Sequence, residues 1–313
     1  MRKIGLIVFP AFSPINLAAT SVFEAANWKV KSAAYDVTLL SEHGGLVATS
    51  LGSQIQTSSF KRRTFDTLII AGGIAAPKAT PGLVSYLRSA VHRTRRIASI
   101  CTGAVVLAEA GLLDGRRATT HWHFAGTMQQ RYPKIAVEED RIFIIDGPIW
   151  TSAGMSAGVD LVLALVEKDL GAEIAHAVAK LLVVYHRRAG GQSQYSTLLD
   201  LAPTSDRVQN ALTFAKQHLN KPLGVSDLAK AAFLSPRQFS RLFREETGQS
   251  PAKAIERLRV ESARLMMETG RFSVEEIARK NGFENRERMR RSFVRAFGQP
   301  PQTIQRTVNA LVQ

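Results

Sequence analysis

Residues 225–243 read VSDLAKAAFLSPRQFSRLF, and residues 274–293 read VEEIARKNGFENRERMRRSF. The two stretches share one pattern, in which Leu228 corresponds to Ile277 at an offset of 49. In the second helix of each copy the offset is 50, so the turn of the second copy is one residue longer. Two short apolar-periodic helices around a turn are typical of a helix-turn-helix. Two such units predict two recognition helices in successive major grooves, roughly 34 Å apart.

The helix after each turn carries a basic outward face. Ser235 and Pro236 are a good helix start, with an N-cap serine and a proline at the first helical position. Arginine suits bidentate contact with guanine and also contact with phosphate, and the sequence leaves open which arginines do which. A solvated basic face is the plainer alternative, which the duplication disfavours. The residues predicted to face DNA are Arg237, Ser240, Arg241 and Arg244 in the first unit and Arg286, Glu287, Arg290 and Arg291 in the second.

Length and charge agree with this interpretation. A chain of 313 residues with 45% apolar content suggests about two globular domains. The net charge is +15, and residues 204–313 contribute +9 of it, with 20 Lys and Arg against 11 Asp and Glu. This concentration of positive charge favours a polyanionic partner, which we take to be double-stranded DNA.

Other bulk features narrow the class of protein. The single cysteine, Cys101, excludes an intramolecular disulfide framework and favours a reducing cytoplasm. No run of ~18 apolar residues is present, so we expect no membrane partner. We interpret the apolar start, Met1–Pro10, as a first buried strand and not as a signal peptide. We expect no metal site and no cofactor.

The N-terminal part alternates strand-like and helix-like segments. This rhythm predicts a doubly wound, flavodoxin-like α/β domain, and composition predicts an all-α domain after it. The domains are expected at 1–188 and 207–306, with a polar, glycine-rich linker at 189–206. The predicted strands are Lys3–Phe9, Asp36–Ser41, Thr67–Ala71, Arg96–Ile100 and a late pair at Arg141–Ile145 and Ile149–Ser152. The predicted helices are Leu17–Lys29, Pro81–Arg93, Thr102–Ala110, Ser156–Leu170, Ala172–Arg188 and Pro251–Glu268.

Cys101 stands where a buried strand meets a helix. A cysteine at such a turn lies close to a helix N-terminus, which stabilises a thiolate. The stretch Ala71–Gly73 ends an earlier strand and offers backbone N–H groups for an oxyanion hole, and His121 is a histidine candidate. A lone cysteine is more often an inert core residue, and His121 is equally well structural. The residues therefore leave a catalytic site, a redox-sensing cysteine and a plain core position open.

Two family resemblances cover nearly the whole chain. Residues 210–306 resemble the AraC/XylS family of transcriptional regulators, through the paired units and the closing Gly298–Pro301. Residues 3–188 resemble the ThiJ/PfpI superfamily, relatives of class I glutamine amidotransferases, through the segments around Gly72, Cys101 and His121. By the first resemblance, the base-facing residues would be Arg237, Ser240, Arg241, Arg286, Glu287 and Arg291.

The combination resembles the GlxA subgroup of AraC-type regulators, in which an amidotransferase-like domain senses a metabolite. Related isonitrile hydratases carry an acidic residue where this chain has Asn16, and an amide cannot act as a general acid or base. We therefore expect no catalytic residue, with Cys101, His121 and Asn16 as vestiges of one. The alternatives are a cysteine-dependent amidase or isonitrile hydratase tethered to DNA, and a Cys101 redox sensor.

The resemblance also implies partners. An amine- or amino-acid-like effector would bind in the old pocket, the regulator would act as an activator with RNA polymerase, and the chain would form a homodimer. The expected ligand-binding residues are Asn16, Gly72, Gly73, Cys101, Thr102 and His121.

Overall fold

The computed structural model describes residues 1–61, 63–184, 188, 190, 194, 201, 203–268, 272–297 and 300–302. Contacts divide the chain into two compact units, Met1–Gln194 and Tyr195–Gln313. Much of the expected linker at 189–206, and the expected end of the second domain at 306, lie outside the described residues. The proposed domain boundaries therefore stay predictions.

An eight-stranded sheet forms the middle layer of the N-terminal unit. Its order is β3-β4-β2-β1-β5-β6-β10-β9, with antiparallel strands at both edges and parallel pairs between them. The central order places β1 between β2 and β5, as in a flavodoxin-like doubly wound sheet, which confirms the predicted fold class. The strands are β1 Arg2–Ile7, β2 Tyr35–Ser41, β3 Gly45–Ala48, β4 Gln54–Ser59, β5 Thr67–Ile70, β6 Arg96–Ile100, β9 Phe143–Asp146 and β10 Ile149–Ser152, while β7 Arg117–Ala118 and β8 Ala136–Val137 form a separate pair.

Helices cover both faces of this sheet. A short 3₁₀ helix, Pro14–Leu17, precedes α1. The helices are α1 Ala18–Val30, α2 Pro81–Ala90, α3 Gly103–Glu109, α4 Trp122–Arg131, α5 Ala157–Leu170 and α6 Ala172–Leu181. One apolar cluster contains α1, α5 and α6, and a second contains α2, α3 and α4. Burial on both faces explains why β5 and β6 are continuous buried runs.

Some elements differ from those predicted, and α4, β7 and β8 have no predicted counterpart. Helix α6 ends at Leu181 and not at Arg188, because Val183 adopts a left-handed φ of 55° and the Val184 N–H turns back to Ala179 O. Strands β4 and β3 were not predicted, because β4 is mostly polar and β3 has only three consecutive apolar residues with side chains, two of them exposed.

The C-terminal unit is helical, as predicted. Its helices are α7 Asp206–Gln217, α8 Val225–Ala231, α9 Pro236–Thr247, α10 Pro251–Glu268, α11 Val274–Lys280 and α12 Arg286–Phe297. Ser205 caps α7 by accepting from the Val208 N–H. The helix α10 has the predicted bounds and joins two small cores: Ile255 packs in the first, and Val260 packs in the second.

Candidate functional site

The Cys101 turn lies at the carboxyl edge of the central strands, where doubly wound folds bind their ligands. Cys101 follows β6, has a left-handed φ of 55° and is 2% exposed. Burial raises the pKa of its thiol to about 11, so the group is neutral near pH 7. The backbone and hydroxyl of Thr102 at the helix start lower this pKa, as expected of a helix N-terminus, but burial raises it by more.

The glycine N–H groups expected to form an oxyanion hole are already engaged. The Gly72 N–H donates to Asn16 Oδ1 at 3.1 Å, and the Gly73 N–H donates to Thr102 Oγ1 at 2.8 Å. A side chain could not replace Gly72, because its Cβ would lie 2.5 Å from the Ile100 carbonyl oxygen. The oxyanion hole is thus filled by the protein's own side chains, which corrects that expectation.

Asn16 holds this arrangement through both ends of its amide. Its Nδ2 donates to Ser13 O at 2.6 Å and to Gly72 O at 3.0 Å, while its Oδ1 accepts from Gly72. The side chain is buried. A carboxylate here would face two carbonyl oxygens without a proton to donate, so the geometry calls for an amide and not for the acid of the related enzymes.

His121 is half-buried, whereas Asn16, Gly72, Cys101 and Thr102 are buried. It caps α4, with Nδ1 accepting from the His123 N–H at 3.3 Å. Burial, and then the charge of His123, lower its pKa. Within the described residues, His121 makes no hydrogen bond to Cys101. The loop reaches the cysteine through Thr120, whose hydroxyl donates to Cys101 O at 2.9 Å.

The last residues of the N-terminal unit bind to the same loop. Gln194 Nε2 donates to Thr120 O at 2.7 Å, and Gln194 Oε1 accepts from the Trp122 N–H at 2.8 Å. A second attachment joins Arg188 to buried Asp160, with Arg188 Nη2 at 2.7 Å from the carboxylate. Sequence reasoning missed both attachments, because they join residues far apart in the chain.

In the first helix-turn-helix unit, α8 and α9, the basic face is open to solvent. Ser235 and Gln238 form a capping box that fixes the start of the recognition helix. Arg237, Arg241 and Arg244 are exposed. Among the described residues the nearest carboxylate to these arginines is Glu245, at 3.8 Å from Arg241.

Ser240 lies among these arginines but is less available than they are. Its side chain is half-buried, and its hydroxyl donates to Pro236 O within the helix at 2.8 Å.

In the second unit, α11 and α12, most exposed arginines pair with carboxylates. Arg286 lies 3.1 Å from Glu275, and Arg290 donates two hydrogen bonds of 2.8 Å to Glu287. These pairs are solvent-exposed and contribute little to stability, so they exchange readily. Arg291 is also exposed, and it forms no ion pair within the described part of the chain.

Within the C-terminal unit, hydrogen bonds and close packing connect the two helix-turn-helix units. Arg259 of α10 donates to Leu219 O at 3.2 Å and to Lys221 O at 2.7 Å. The turn of the second unit packs against the same place, since a Cβ on Gly282 would lie 2.1 Å from Leu219 O. The recognition helices are therefore held by a common helix and a bonded contact.

Comparison with known proteins identifies both units. Residues 2–168 match the DJ-1/PfpI family, and residues 228–307 match a helix-turn-helix domain family. The chain belongs to the DJ-1/PfpI family. This DJ-1/PfpI protein is 32% identical to the HTH-type transcriptional regulator CdhR of Pseudomonas aeruginosa, over 94% of this chain and 89% of that protein. It is 28% identical to the HTH-type transcriptional regulator GlxA of Rhizobium meliloti, over 98% of this chain and 96% of that protein.

These full-length relatives confirm that the DJ-1/PfpI chain is a DNA-binding transcription regulator with an AraC-type helix-turn-helix domain. The isonitrile hydratase of Pseudomonas putida matches at 29% identity over 56% of this chain and 75% of that protein. The regulator, and not the enzyme, is thus the type that spans both units.

Solved structures support the fold of the N-terminal unit. A crystal structure of an AraC family transcriptional regulator from Pseudomonas putida has a TM-score of 0.54 at 24% identity, over 58% of this chain and all of that one. In the described part of the DJ-1/PfpI chain, no helix has both the length and the apolar composition of a bilayer span.

Proposed function

We propose that this regulator responds to a small metabolite bound above the Cys101 turn, within the predicted set Asn16, Gly72, Gly73, Cys101, Thr102 and His121. The observation that carries the proposal is the attachment of Gln194 to the loop holding His121. An effector can shift a regulator between two states only through contacts that differ between those states. The Gln194 bonds join the loop holding His121 to the end of the N-terminal unit, and we assign them this role.

The buried members of the set would form the floor of the site. Their polar groups already bond to one another, so the floor gives shape more than hydrogen bonds. Recognition of the effector would then depend on the neighbouring residues His121, which is half-buried, and Trp122, which is 52% exposed. The two rings lie 5.5 Å apart.

The aromatic side chain of Trp122 suits an amine-like effector. The face of an indole attracts ammonium and methylated ammonium groups, by about 0.5–2 kcal/mol depending on desolvation. A bound amine would change the position of the Trp122 backbone, and with it the hydrogen bond to Gln194. The exposed indole of Trp122 supports the amine or amino-acid class of effector.

The test uses the full chain and a promoter fragment isolated from genomic DNA by its binding. DNA affinity is measured with and without amino acids and methylated amines at millimolar concentration, and binding of each compound is measured separately by calorimetry. We expect one of them to change promoter affinity at least fivefold. The proposal fails if none changes promoter affinity or transcription.

A substitution then tests the connection. Gln194→Ala should keep effector binding and lose the effect on DNA. Gln129→Ala is the control, because the Gln129 amide bonds two backbone groups, Ile135 O and the Val137 N–H, away from the end of the unit. The Gln194 amide bonds three, the Trp122 N–H, Thr120 O and Glu139 O. An equal loss of response in both variants would contradict the assigned role of Gln194.

The proposal also includes the protein partners and the location of this regulator. From the AraC-type resemblance we carry over activation with RNA polymerase, a homodimer formed by the N-terminal unit, and a cytoplasmic location. Light scattering on the purified full chain tests the dimer, and a promoter fusion in a deletion strain tests the sign of regulation.

A further inference from the structure

The two helix-turn-helix units have the same turn but different residues at its left-handed position. In the first unit the Phe233 N–H donates to Lys230 O and the Leu234 N–H to Ala229 O. In the second, Gly282 and Phe283 donate in the same way, to the carbonyls of Arg279 and Ala278. Phe233 has a φ of 54° and Gly282 has a φ of 69°.

Glycine adopts this conformation without strain, whereas a phenylalanine is a backbone outlier there. Phe233 is 87% exposed, so the described residues of its own unit bury little of its ring to offset this strain. A strained, exposed aromatic residue indicates a contact made outside the folded chain.

The position of the turn indicates which partner makes that contact. In a helix-turn-helix the first helix crosses the DNA backbone, and the recognition helix enters the major groove by its N-terminal end. The turn that joins them lies at the edge of the groove, where the sugars are. Phe233 comes two residues before the N-cap Ser235, three residues after exposed Lys230 and four before exposed Arg237.

We propose that Phe233 packs its ring against the deoxyribose edge of the DNA backbone beside the first half-site. The neighbouring cations would hold the phosphates, and the ring would bury the apolar face of a sugar between them. Such a contact adds affinity without reading bases and without releasing counterions. Gly282 has no side chain that could make such a contact. At this turn position, the first helix-turn-helix unit would therefore bind the DNA backbone more tightly than the second.

The test uses a substitution whose effects on stability and on DNA binding should have opposite signs. Phe233→Gly removes the strain, so we expect a Tm rise of about 4 °C in the transition of the C-terminal unit of the full chain. The same variant should bind DNA about tenfold more weakly, because the apolar burial is lost. The loss should be equal for promoter and random DNA, with an unchanged slope of log affinity against log salt.

Two further variants complete the experiment. Lys31→Gly relieves a similar left-handed residue, with a φ of 52°, in the N-terminal unit and should leave DNA affinity unchanged. Phe233→Trp should keep at least half of the wild-type affinity. The proposal is overturned if Phe233→Gly binds DNA as well as the wild type does. A fall in transcription with unchanged DNA binding would overturn it too, because the ring would then contact a protein. It is also overturned if the salt slope falls by about 1, as expected for a lost cation such as Arg237.

Discussion

At the Cys101 turn the polar groups are bonded to one another, whereas along α9 and α12 they face solvent or exchangeable carboxylates. Asn16, Gly72 and Thr102 use their hydrogen-bonding groups within the protein and are buried. Arg241 and Arg291 are exposed on their recognition helices. The first region therefore uses its polar groups for stability, and the second keeps them for a partner. Substitutions in the two regions should change different measured quantities.

The largest contrast concerns the thiol. With a pKa of about 11, Cys101 is about 0.1% thiolate at pH 8, against about a quarter for an ordinary thiol with a pKa near 8.5. We expect alkylation of Cys101 at pH 8 to be at least 100-fold slower than alkylation of glutathione, and to accelerate as the pH rises toward 11.

The unfolded chain is the internal control for this measurement. Because Cys101 is the single cysteine, mass spectrometry reports on it alone, and in urea it should react at an ordinary rate. Rapid alkylation of the folded protein at pH 8 would contradict the burial and raised pKa of Cys101 and would support the redox-sensing alternative.

The next effect should appear in DNA binding alone. Arg291→Ala should lower specific promoter affinity by roughly 1–3 kcal/mol, because an exposed guanidinium is lost from the recognition helix. Its unfolding transition should stay within about 0.5 kcal/mol of the wild-type value. Promoter titrations at several salt concentrations measure the first quantity, and denaturant unfolding measures the second.

A second arginine of the same helix provides the control. Arg295 is also exposed, but its guanidinium bonds to Glu256 and Ser292. Arg295→Ala should therefore change promoter affinity less than Arg291→Ala does. Unchanged promoter binding and unchanged salt dependence in Arg291→Ala would remove Arg291 from the predicted DNA-facing set.

The features that sequence predicted well depend on local pattern. Buried strands such as Arg96–Ile100 are continuous apolar runs, and α10 has the bounds that its apolar periodicity indicates. The doubled helix-turn-helix was visible because each copy repeats its core spacing. The exposed faces of α9 and α12 then follow from the helical period.

The features that were missed depend on contacts between distant residues. The sequence indicated that Asn16 is not an acid, but not that its amide bonds to Gly72, 56 positions away. The attachment of Gln194 spans 72 to 74 positions and carries no local signal. The ion pair of Arg286 with Glu275 joins two helices and was equally hidden.

At the Cys101 turn, the sharpest test changes one amide. Asn16→Asp should lower the free energy of unfolding of the N-terminal unit by about 1–3 kcal/mol, because Ser13 O and Gly72 O lose their donor. Promoter affinity should not change under conditions in which the protein is folded. Denaturant unfolding followed by circular dichroism gives the first quantity, and a promoter titration gives the second.

Asn27 is the matched asparagine for this experiment. Its amide also bonds a backbone pair, the N–H and carbonyl of Tyr35, but its Nδ2 donates to one carbonyl where that of Asn16 donates to two. Asn27→Asp should therefore destabilise the unit less than Asn16→Asp does. An Asn16→Asp protein of wild-type stability would show that the hydrogen bonds of the Asn16 amide do not stabilise the Cys101 turn.

The smallest predicted effect lies at Glu287, the one carboxylate in the predicted DNA-facing set. Glu287 accepts both hydrogen bonds of Arg290, which lowers the pKa of the carboxyl group and keeps it charged. Glu287→Gln removes this negative charge and weakens the pairing with Arg290, so affinity for random DNA should rise about two- to fivefold, with a steeper salt dependence. Affinity for the promoter should rise less or fall. The Glu287 carboxylate can accept a hydrogen bond from cytosine N4, and a glutamine amide has a different base preference. Equal gains for promoter and random DNA would show that Glu287 changes only the charge of the surface and reads no base. No gain for either DNA would show that its pair with Arg290 already opens when DNA binds.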